Sequence, residues 1–162
     1  MELNIYNWQI FTKHFPEASF SQKALEEILL KEITDFRSQT KEGANTPMGI
    51  PSIESISVIF VSSKKINQLN TDFRKKEEVT DVLSFVLQEK PIIGEIYICP
   101  EYIAEEYSHQ EALRALVHGF LHLVGYEHTQ KFTENSKSSE EMFVKQENML
   151  ENILYEINNR VR

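Results

Sequence analysis

The sequence predicts an α+β protein in which a small mixed β-sheet packs against several helices. Short apolar, β-branched segments typical of strands lie in the first hundred residues, and amphipathic segments of helical period fill most of the remainder. The chain has 162 residues, and neither an internal repeat nor a low-complexity linker divides it. We therefore expect residues 1–162 to form a single domain.

The first hundred residues supply the predicted strands. Leu3 and Ile5 alternate with polar neighbours, which is a weak strand signal. An amphipathic helix follows Ser21, which can cap it, and a polar loop is predicted over 38–51. The remaining predictions are buried strands over 56–62, 82–87 and 94–99, and a short helix over 64–70 that ends near Arg74.

Helical patterns dominate the last sixty residues. Ser108 and Glu111 have the spacing of a capping box, which predicts a helix that begins at about His109. Gly125 is a plausible residue to end that helix, because glycine adopts positive φ without steric cost. A polar loop over 129–137 then leads into a final amphipathic helix.

Composition and charge exclude several classes of protein. The chain has 17 basic and 25 acidic residues, and its net charge of −8 disfavours a general nucleic-acid coat while leaving room for a local basic site. Its one cysteine, Cys99, excludes an internal disulfide and a cysteine-based zinc cluster. Neither a membrane span nor a secretion signal is recognisable. We therefore expect a cytoplasmic protein without membrane contact.

Three histidines give the strongest chemical signal. His118 and His122 are four residues apart on a predicted helix, so their side chains share one face. Gly125 allows a sharp turn, and His128 then returns close enough to supply a third nitrogen. Three protein ligands and one open position are typical of catalytic zinc. The sequence thus predicts a central metal-binding helix and one Zn²⁺ ion held by these histidines and water.

The same histidine spacing occurs in metzincin proteases, whose pattern is H-E-x-x-H-x-x-G-x-x-H. This chain matches every offset except one, because Gly119 stands where those enzymes carry a glutamate. That glutamate takes the proton from the water that attacks the peptide, and glycine cannot do so. A zinc peptidase is therefore an alternative that position 119 disfavours.

The three histidines belong to a longer motif, His118-Gly-Phe-Leu-His-Leu-Val-Gly-Tyr-Glu-His128. This segment resembles the signature H-G-x-L-H-L-x-G-Y-D-H of the YbeY family of zinc-dependent endoribonucleases. Residues 69–85 resemble two further motifs, L-N-x-x-[YF]-R and T-D-V-L-S-F. Two shorter motifs also match, at Gly94-Glu95-Ile96 and at Met142 with Gln146. The resemblance extends from about residue 56 to residue 150 and implies that the three histidines bind zinc.

The resemblance also implies a functional role for Arg74, which matches an arginine that the family requires. A guanidinium beside a metal can bind two oxygens of a phosphodiester and neutralise the charge that develops in the transition state. Arg74 is thus a candidate for both catalysis and substrate binding. The alternative is a loop arginine paired with Glu77 or Glu78.

Three further residues are candidates for the site. Lys75 and Lys76 follow Arg74 directly and are candidate substrate-binding residues. Glu127 stands where the family usually has aspartate, and it is a candidate to accept a hydrogen bond from an imidazole or a proton during catalysis. The alternative for Glu127 is a solvated turn residue.

The function implied by the resemblance is single-strand endoribonuclease activity in ribosomal RNA maturation, at the end of the small-subunit RNA, and in ribosome quality control. The implied partners are ribosomal RNA and the small ribosomal subunit, with a ribosome-associated GTPase as a further candidate. An alternative from another class is a non-catalytic ribosome-assembly factor whose zinc organises the fold. The nucleophile, either water or the ribose 2′-hydroxyl, stays open, as does the oligomeric state.

Overall fold

The computed structural model describes residues 1–40, 51–126 and 136–160, with side chains described over 1–39, 51–126 and 140–160. These residues form four strands and six helices. In chain order they are β1 (Glu2–Tyr6), α1 (Trp8–His14), α2 (Gln22–Thr40), β2 (Ile53–Phe60), α3 (Ser63–Arg74), β3 (Val82–Glu89), β4 (Ile92–Ile98), α4 (Pro100–Ala104), α5 (His109–Leu123) and α6 (Ser136–Arg160).

The four strands form one mixed sheet in the order β1-β2-β4-β3. β1, β2 and β4 run parallel to each other, and β3 runs antiparallel to β4. The predicted α+β class and small mixed sheet are thereby confirmed. β3 is an edge strand of this sheet, and the candidate site lies along it.

Apolar side chains cover both faces of the sheet. The larger cluster joins alternate residues of β2 and β4 to α2, α5 and α6. On the opposite face, Ile66 and Leu69 of α3 pack with Leu83 in a smaller cluster. Because α3 and α5 lie on opposite faces, the end of α3 must reach past the edge strand to meet residues of α5.

The prediction of a fully buried strand over 82–87 is wrong in its second half. Leu83 is 2% exposed, but Val86 and Leu87 are 45% and 61% exposed. β3 is an edge strand along its whole length, and only its first residues pack against the apolar clusters on the two faces of the sheet. An apolar run alone does not distinguish an interior strand from an edge strand.

Several boundaries also differ from the predicted ones. α2 continues to Thr40, so the predicted loop is wrong at residues 38–40, and the part of it over 41–50 lies outside the described residues. β2 spans Ile53–Phe60 rather than 56–62, because Ser62 caps α3 by accepting a hydrogen bond from the Lys65 N–H at 3.2 Å. The short helices α1 and α4 were not separately predicted, since one or two turns carry little periodicity.

The predicted start of α5 is confirmed, although its cap is not the predicted one. Ser108 is the N-cap residue, but within the described part of the chain its hydroxyl makes no capping hydrogen bond. The Glu111 carboxylate pairs instead with Arg114, one turn along the helix. At α2, by contrast, the Ser21 hydroxyl does cap the helix, accepting from the Ala24 N–H at 3.1 Å. None of the described helices is long and apolar enough to cross a membrane.

Candidate active site

A cleft of about 650 Å³ lies along β3, the edge strand of the sheet. One wall is formed by residues 80–86, and the other by the face of α5 that carries His118 and His122. Arg74, at the end of α3, and Gln146, on α6, complete the lining. The fold therefore brings residues from four separate segments to one cleft, among them three that the sequence predicted for the site.

The end of α5 positions His122. Gly125 has φ of 104°, and its N–H donates to the His122 carbonyl at 3.1 Å, while the Tyr126 N–H donates to the Leu121 carbonyl at 3.0 Å. This pair of bonds is a Schellman motif, which confirms Gly125 as the residue that ends the helix. The turn places the Tyr126 carbonyl 2.8 Å from His122 Nδ1. The backbone thereby fixes the orientation of this imidazole.

A side chain of α6 positions His118. Gln146 Oε1 lies 2.8 Å from His118 Nδ1, and Gln146 is only 8% exposed. An amide oxygen and a backbone carbonyl can only accept, so the Nδ1 atoms of both His118 and His122 carry the hydrogen. In each neutral imidazole the lone pair is then on Nε2, the atom that faces the other ring.

The two Nε2 atoms converge at 3.0 Å, with the ring planes 81° apart. Two lone pairs this close require a cation or a proton between them. Two nitrogen ligands of a tetrahedral zinc ion lie about 3.3 Å apart, because each Zn–N bond is about 2.0–2.1 Å long. The donor set and the spacing of His118 and His122 therefore fit a zinc ion.

The third predicted ligand, His128, lies outside the described residues, as does Glu127. Within residues 1–40, 51–126 and 136–160, no group of three His, Cys, Asp or Glu side chains is placed to hold a metal ion. Two converging imidazoles are thus described, and zinc binding by three histidines stays a prediction, together with the role of Glu127.

Gln146 is a site residue whose role the sequence analysis missed. Its motif with Met142 was recognised, but no function followed from it. The available signal was a glutamine within the apolar stripe of a helix, at a position that is 8% exposed. A buried amide needs a hydrogen-bond partner, and here the partner is an imidazole of the cleft.

Replacing Gln146 by leucine is expected to lower zinc affinity about 10- to 100-fold, because His118 loses the acceptor that fixes its ring. Isothermal titration of the metal-free protein with zinc measures this. Asn152→Leu is a matched control on the same helix, since Asn152 bonds to Glu32 and not to a histidine. Equal affinities of the Gln146→Leu variant and the wild-type protein would contradict the role of Gln146.

Arg74 is the last residue of α3, and its exposed side chain lines the cleft. Among the described residues, no ion pair joins it to Glu77 or Glu78, the partners that the alternative interpretation requires. Lys75 and Lys76 are exposed beside it and do not line the described cleft. The structure therefore brings Arg74, and not the two lysines, to the cleft that holds His118 and His122.

A buried asparagine holds the segment that carries these basic residues. Asn70 is 2% exposed, and its carbonyl accepts from the backbone N–H groups of Lys75 and Lys76. Its side-chain Nδ2 donates to the Glu78 carbonyl at 3.1 Å. Lys75 adopts φ of 59°, which turns the chain sharply after Arg74. Asn70 thus fixes both the end of α3 and the loop that follows.

A second arginine of the cleft is already paired. Arg114 Nε lies 3.1 Å and 3.2 Å from the two carboxylate oxygens of Glu147, and its guanidinium also contacts Glu111. The hydrogen bonds with Glu147 raise the pKa of Arg114 above its usual value, so it stays charged. Because two carboxylates compensate this charge, Arg114 is a weaker candidate than Arg74 for binding phosphate.

Gly119 lies where α5 packs closely on the sheet. A Cβ atom at this position would be 2.8 Å from Ile96 Cγ2 and 3.2 Å from Val82 Cγ2. Ile96 is fully buried and β-branched, so its side chain has little freedom to move. A larger side chain at 119, such as the glutamate of a metzincin, would require Ile96 or the helix to shift, and this close packing accounts for the glycine.

Gly119→Ala is expected to destabilise the protein by about 1–3 kcal/mol, because the added methyl group overlaps Ile96. Denaturant unfolding measures the change. In an Ile96→Ala background the overlap is relieved, so the same glycine replacement should cost less there. An unchanged or increased stability of Gly119→Ala in the wild-type background would show that α5 is not packed this closely on the sheet.

Fold and cleft together define a class. The molecule is an α+β protein with a mixed sheet, a central helix that presents two converging imidazoles, and an arginine at the same cleft. This arrangement is that of a candidate hydrolase.

Comparison with known proteins identifies the family. The family model described as Endoribonuclease YbeY matches residues 14–154. The chain is 37% identical over 138 residues to the Endoribonuclease YbeY of Thermotoga petrophila, covering 82% of this chain and 77% of that protein. It is 35% identical over 147 residues to that of Bacillus subtilis, covering 79% of this chain and 88% of the relative. The chain therefore belongs to the Endoribonuclease YbeY family, as the resemblance of its motifs predicted.

A solved structure supports the fold. The solution structure of TM1509 from Thermotoga maritima matches with a TM-score of 0.57 and 29% identity, and the match covers 98% of this chain and 93% of that one.

Proposed function

We propose that this protein is a zinc-dependent endoribonuclease that cleaves single-stranded segments of ribosomal RNA during maturation of the small-subunit RNA. The observation that carries the proposal is the convergence of His118 Nε2 and His122 Nε2 at 3.0 Å in a cleft that Arg74 also lines. Membership of a family whose relatives are named endoribonucleases supports the activity. The proposed partners are ribosomal RNA, the small ribosomal subunit and a ribosome-associated GTPase, and a role in ribosome quality control belongs to the same proposal.

Different residues of the cleft would bind the metal and orient its ligands. His118, His122 and the predicted third ligand His128 would hold the metal, which when bound supplies Lewis acidity and lowers the pKa of water in the site. Gln146 and the Tyr126 carbonyl keep the first two imidazoles in the tautomer that places the lone pair on Nε2.

Arg74 supplies the positive charge for the substrate. Its guanidinium can donate to two oxygens of a phosphodiester at once, and that interaction strengthens as charge develops in the transition state. Asp81 lines the described cleft, as does Glu111, but Glu111 is paired with Arg114. Asp81 therefore joins Glu127, the candidate named from sequence, as a group for general base catalysis.

The test is cleavage of a structured RNA that contains single-stranded segments. Purified protein is expected to cleave it, to lose activity when a chelator removes zinc, and to regain it when zinc is restored. A 2′,3′-cyclic phosphate on the product at early times would identify the 2′-hydroxyl as nucleophile. RNA binding without cleavage in the zinc-loaded protein would overturn the proposed activity and favour the assembly factor.

A further inference from the structure

We propose that Phe73 is a stacking platform for a nucleobase of the single-stranded substrate, next to the phosphate held by Arg74. This inference rests on the proposed function, and it adds a binding contact that the motifs do not assign. Phe73 is 67% exposed, which by itself needs no explanation because single exposed apolar side chains are common. Two features distinguish Phe73: its ring packs on another aromatic ring of the protein, and it lies next to Arg74.

The ring of Phe73 is supported from within the protein. Its centroid lies 5.3 Å from that of Phe85, a half-buried residue of β3 that also lines the cleft. Phe85 in turn packs edge-on against Tyr97, with centroids 5.8 Å apart. Phe73 is thus the exposed end of a row of three aromatic rings. A ring held in this way loses little conformational freedom when a base stacks on its open side.

Phe73 lies beside the residue that is proposed to bind the phosphate. It precedes Arg74 directly in α3, so their Cα atoms are about 3.8 Å apart. Arg74 lines the cleft, whereas Phe73 packs on the α3 face of β3, at the margin of the same cleft. A strand that crosses the edge of the sheet with one phosphate on Arg74 can bring a base to Phe73.

Three cations directly follow Phe73. They are Arg74 and the exposed Lys75 and Lys76, and the hydrogen bonds of Asn70 hold this segment in place. The exposed carboxylates of Asp72, Glu77 and Glu78 flank them, so residues 72–78 carry no net charge and the cations attract a phosphate only at close range. Positive charge beside an exposed, supported aromatic ring is the combination by which proteins bind single-stranded nucleic acid without reading its sequence. The protein as a whole has a net charge of −8, so RNA must be bound through such a local surface.

The experiment compares variants on short single-stranded RNA. Phe73→Leu is expected to raise KM for cleavage, and Kd in the presence of chelator, by about fivefold or more with little change in kcat. Phe73→Trp should bind as well as wild type or better, because it keeps an aromatic face. Tyr155→Leu is the control, since Tyr155 is a similarly exposed aromatic residue (65%) that does not line the described cleft.

Substrates that lack one base give the decisive comparison. A series of the same RNA, each with one abasic nucleotide, should show one position that weakens binding to wild-type protein but not to Phe73→Leu. The inference is overturned if each abasic position weakens RNA binding equally in wild-type protein and Phe73→Leu. It is also overturned if Phe73→Leu binds the intact RNA as well as wild type does. Thermal unfolding of each variant shows whether a loss of RNA binding comes from misfolding. If Phe73→Leu is misfolded, the binding of Phe73→Trp and the abasic series on wild-type protein test the stacking contact instead.

Failure of the inference and failure of the proposed function look different. If wild-type protein binds RNA without cleaving it, the nuclease proposal fails and the binding series still tests Phe73. If wild-type protein cleaves RNA and Phe73→Leu is indistinguishable from it, the stacking platform fails alone. If wild-type protein does not bind single-stranded RNA, both are overturned.

Discussion

Replacing His118 by alanine is expected to remove zinc and RNA cleavage together, with activity reduced by more than about 100-fold. The variant leaves His122 without the nitrogen that faces it at 3.0 Å, so the described pair of imidazoles no longer exists. Metal analysis of the purified protein and single-turnover cleavage of structured RNA measure the two effects. Because His118 is only partly buried and lies at the cleft, the fold should survive the change.

The matched control is His109→Ala. His109 lies at the start of the same helix, where its Nδ1 is 3.4 Å from Glu17, and it does not line the described cleft. This variant should retain zinc and activity. Equal cleavage by wild type and His118→Ala would indicate a contaminating nuclease and remove the support for an enzyme. Cleavage by neither protein would favour the assembly factor.

Replacing Arg74 by alanine is expected to slow cleavage about 100- to 1,000-fold while leaving zinc content and folding unchanged, since Arg74 is assigned to phosphate and not to metal. Arg74 is an exposed residue at the end of α3, so its removal leaves no cavity in the core. Arg74→Lys should recover only part of the activity, because an ammonium group keeps the charge and loses the two-point contact with phosphate.

The control for Arg74 is Lys64→Ala, which removes an exposed positive charge from the first turn of the same helix. A similar loss in both variants would indicate a general effect of charge on RNA binding rather than a specific contact. Loss of zinc from Arg74→Ala would show that the residue contributes to the metal site, which contradicts its assignment.

Local signals in the sequence predicted much of the fold. The start of α5 and its end at Gly125 were correctly placed, because helix termini are set by the conformational preferences of a few neighbouring residues. The strands and the mixed sheet were predicted in outline from apolar, β-branched runs. Edge and interior strands could not be separated, as Val86 and Leu87 show, since exposure depends on which strand pairs beside them.

The candidate site, like the fold, was predictable where local spacing sets it and not where distant segments meet. Spacing of four residues on a helix places His118 and His122 on one face whatever surrounds them, so their convergence was accessible from sequence. The roles of Gln146 and Asn70 were not, although both lie in recognised motifs. Each acts through a hydrogen bond to a distant or loop segment, and a motif does not show which atoms meet.

The sequence by itself determined which chemical groups this protein can use. These are the two imidazoles on one helix face and the arginine, together with a glycine at 119 in place of the glutamate that serves a metzincin as general base. Tertiary structure decided how those groups work together. The packing of α6 on α5 brings Gln146 into hydrogen-bond distance of His118. The edge position of β3 allows Arg74 to reach the cleft from the opposite face of the sheet. The physical reason is range, because helix periodicity and turn preferences act over a few residues, whereas these contacts join segments that are far apart in the chain.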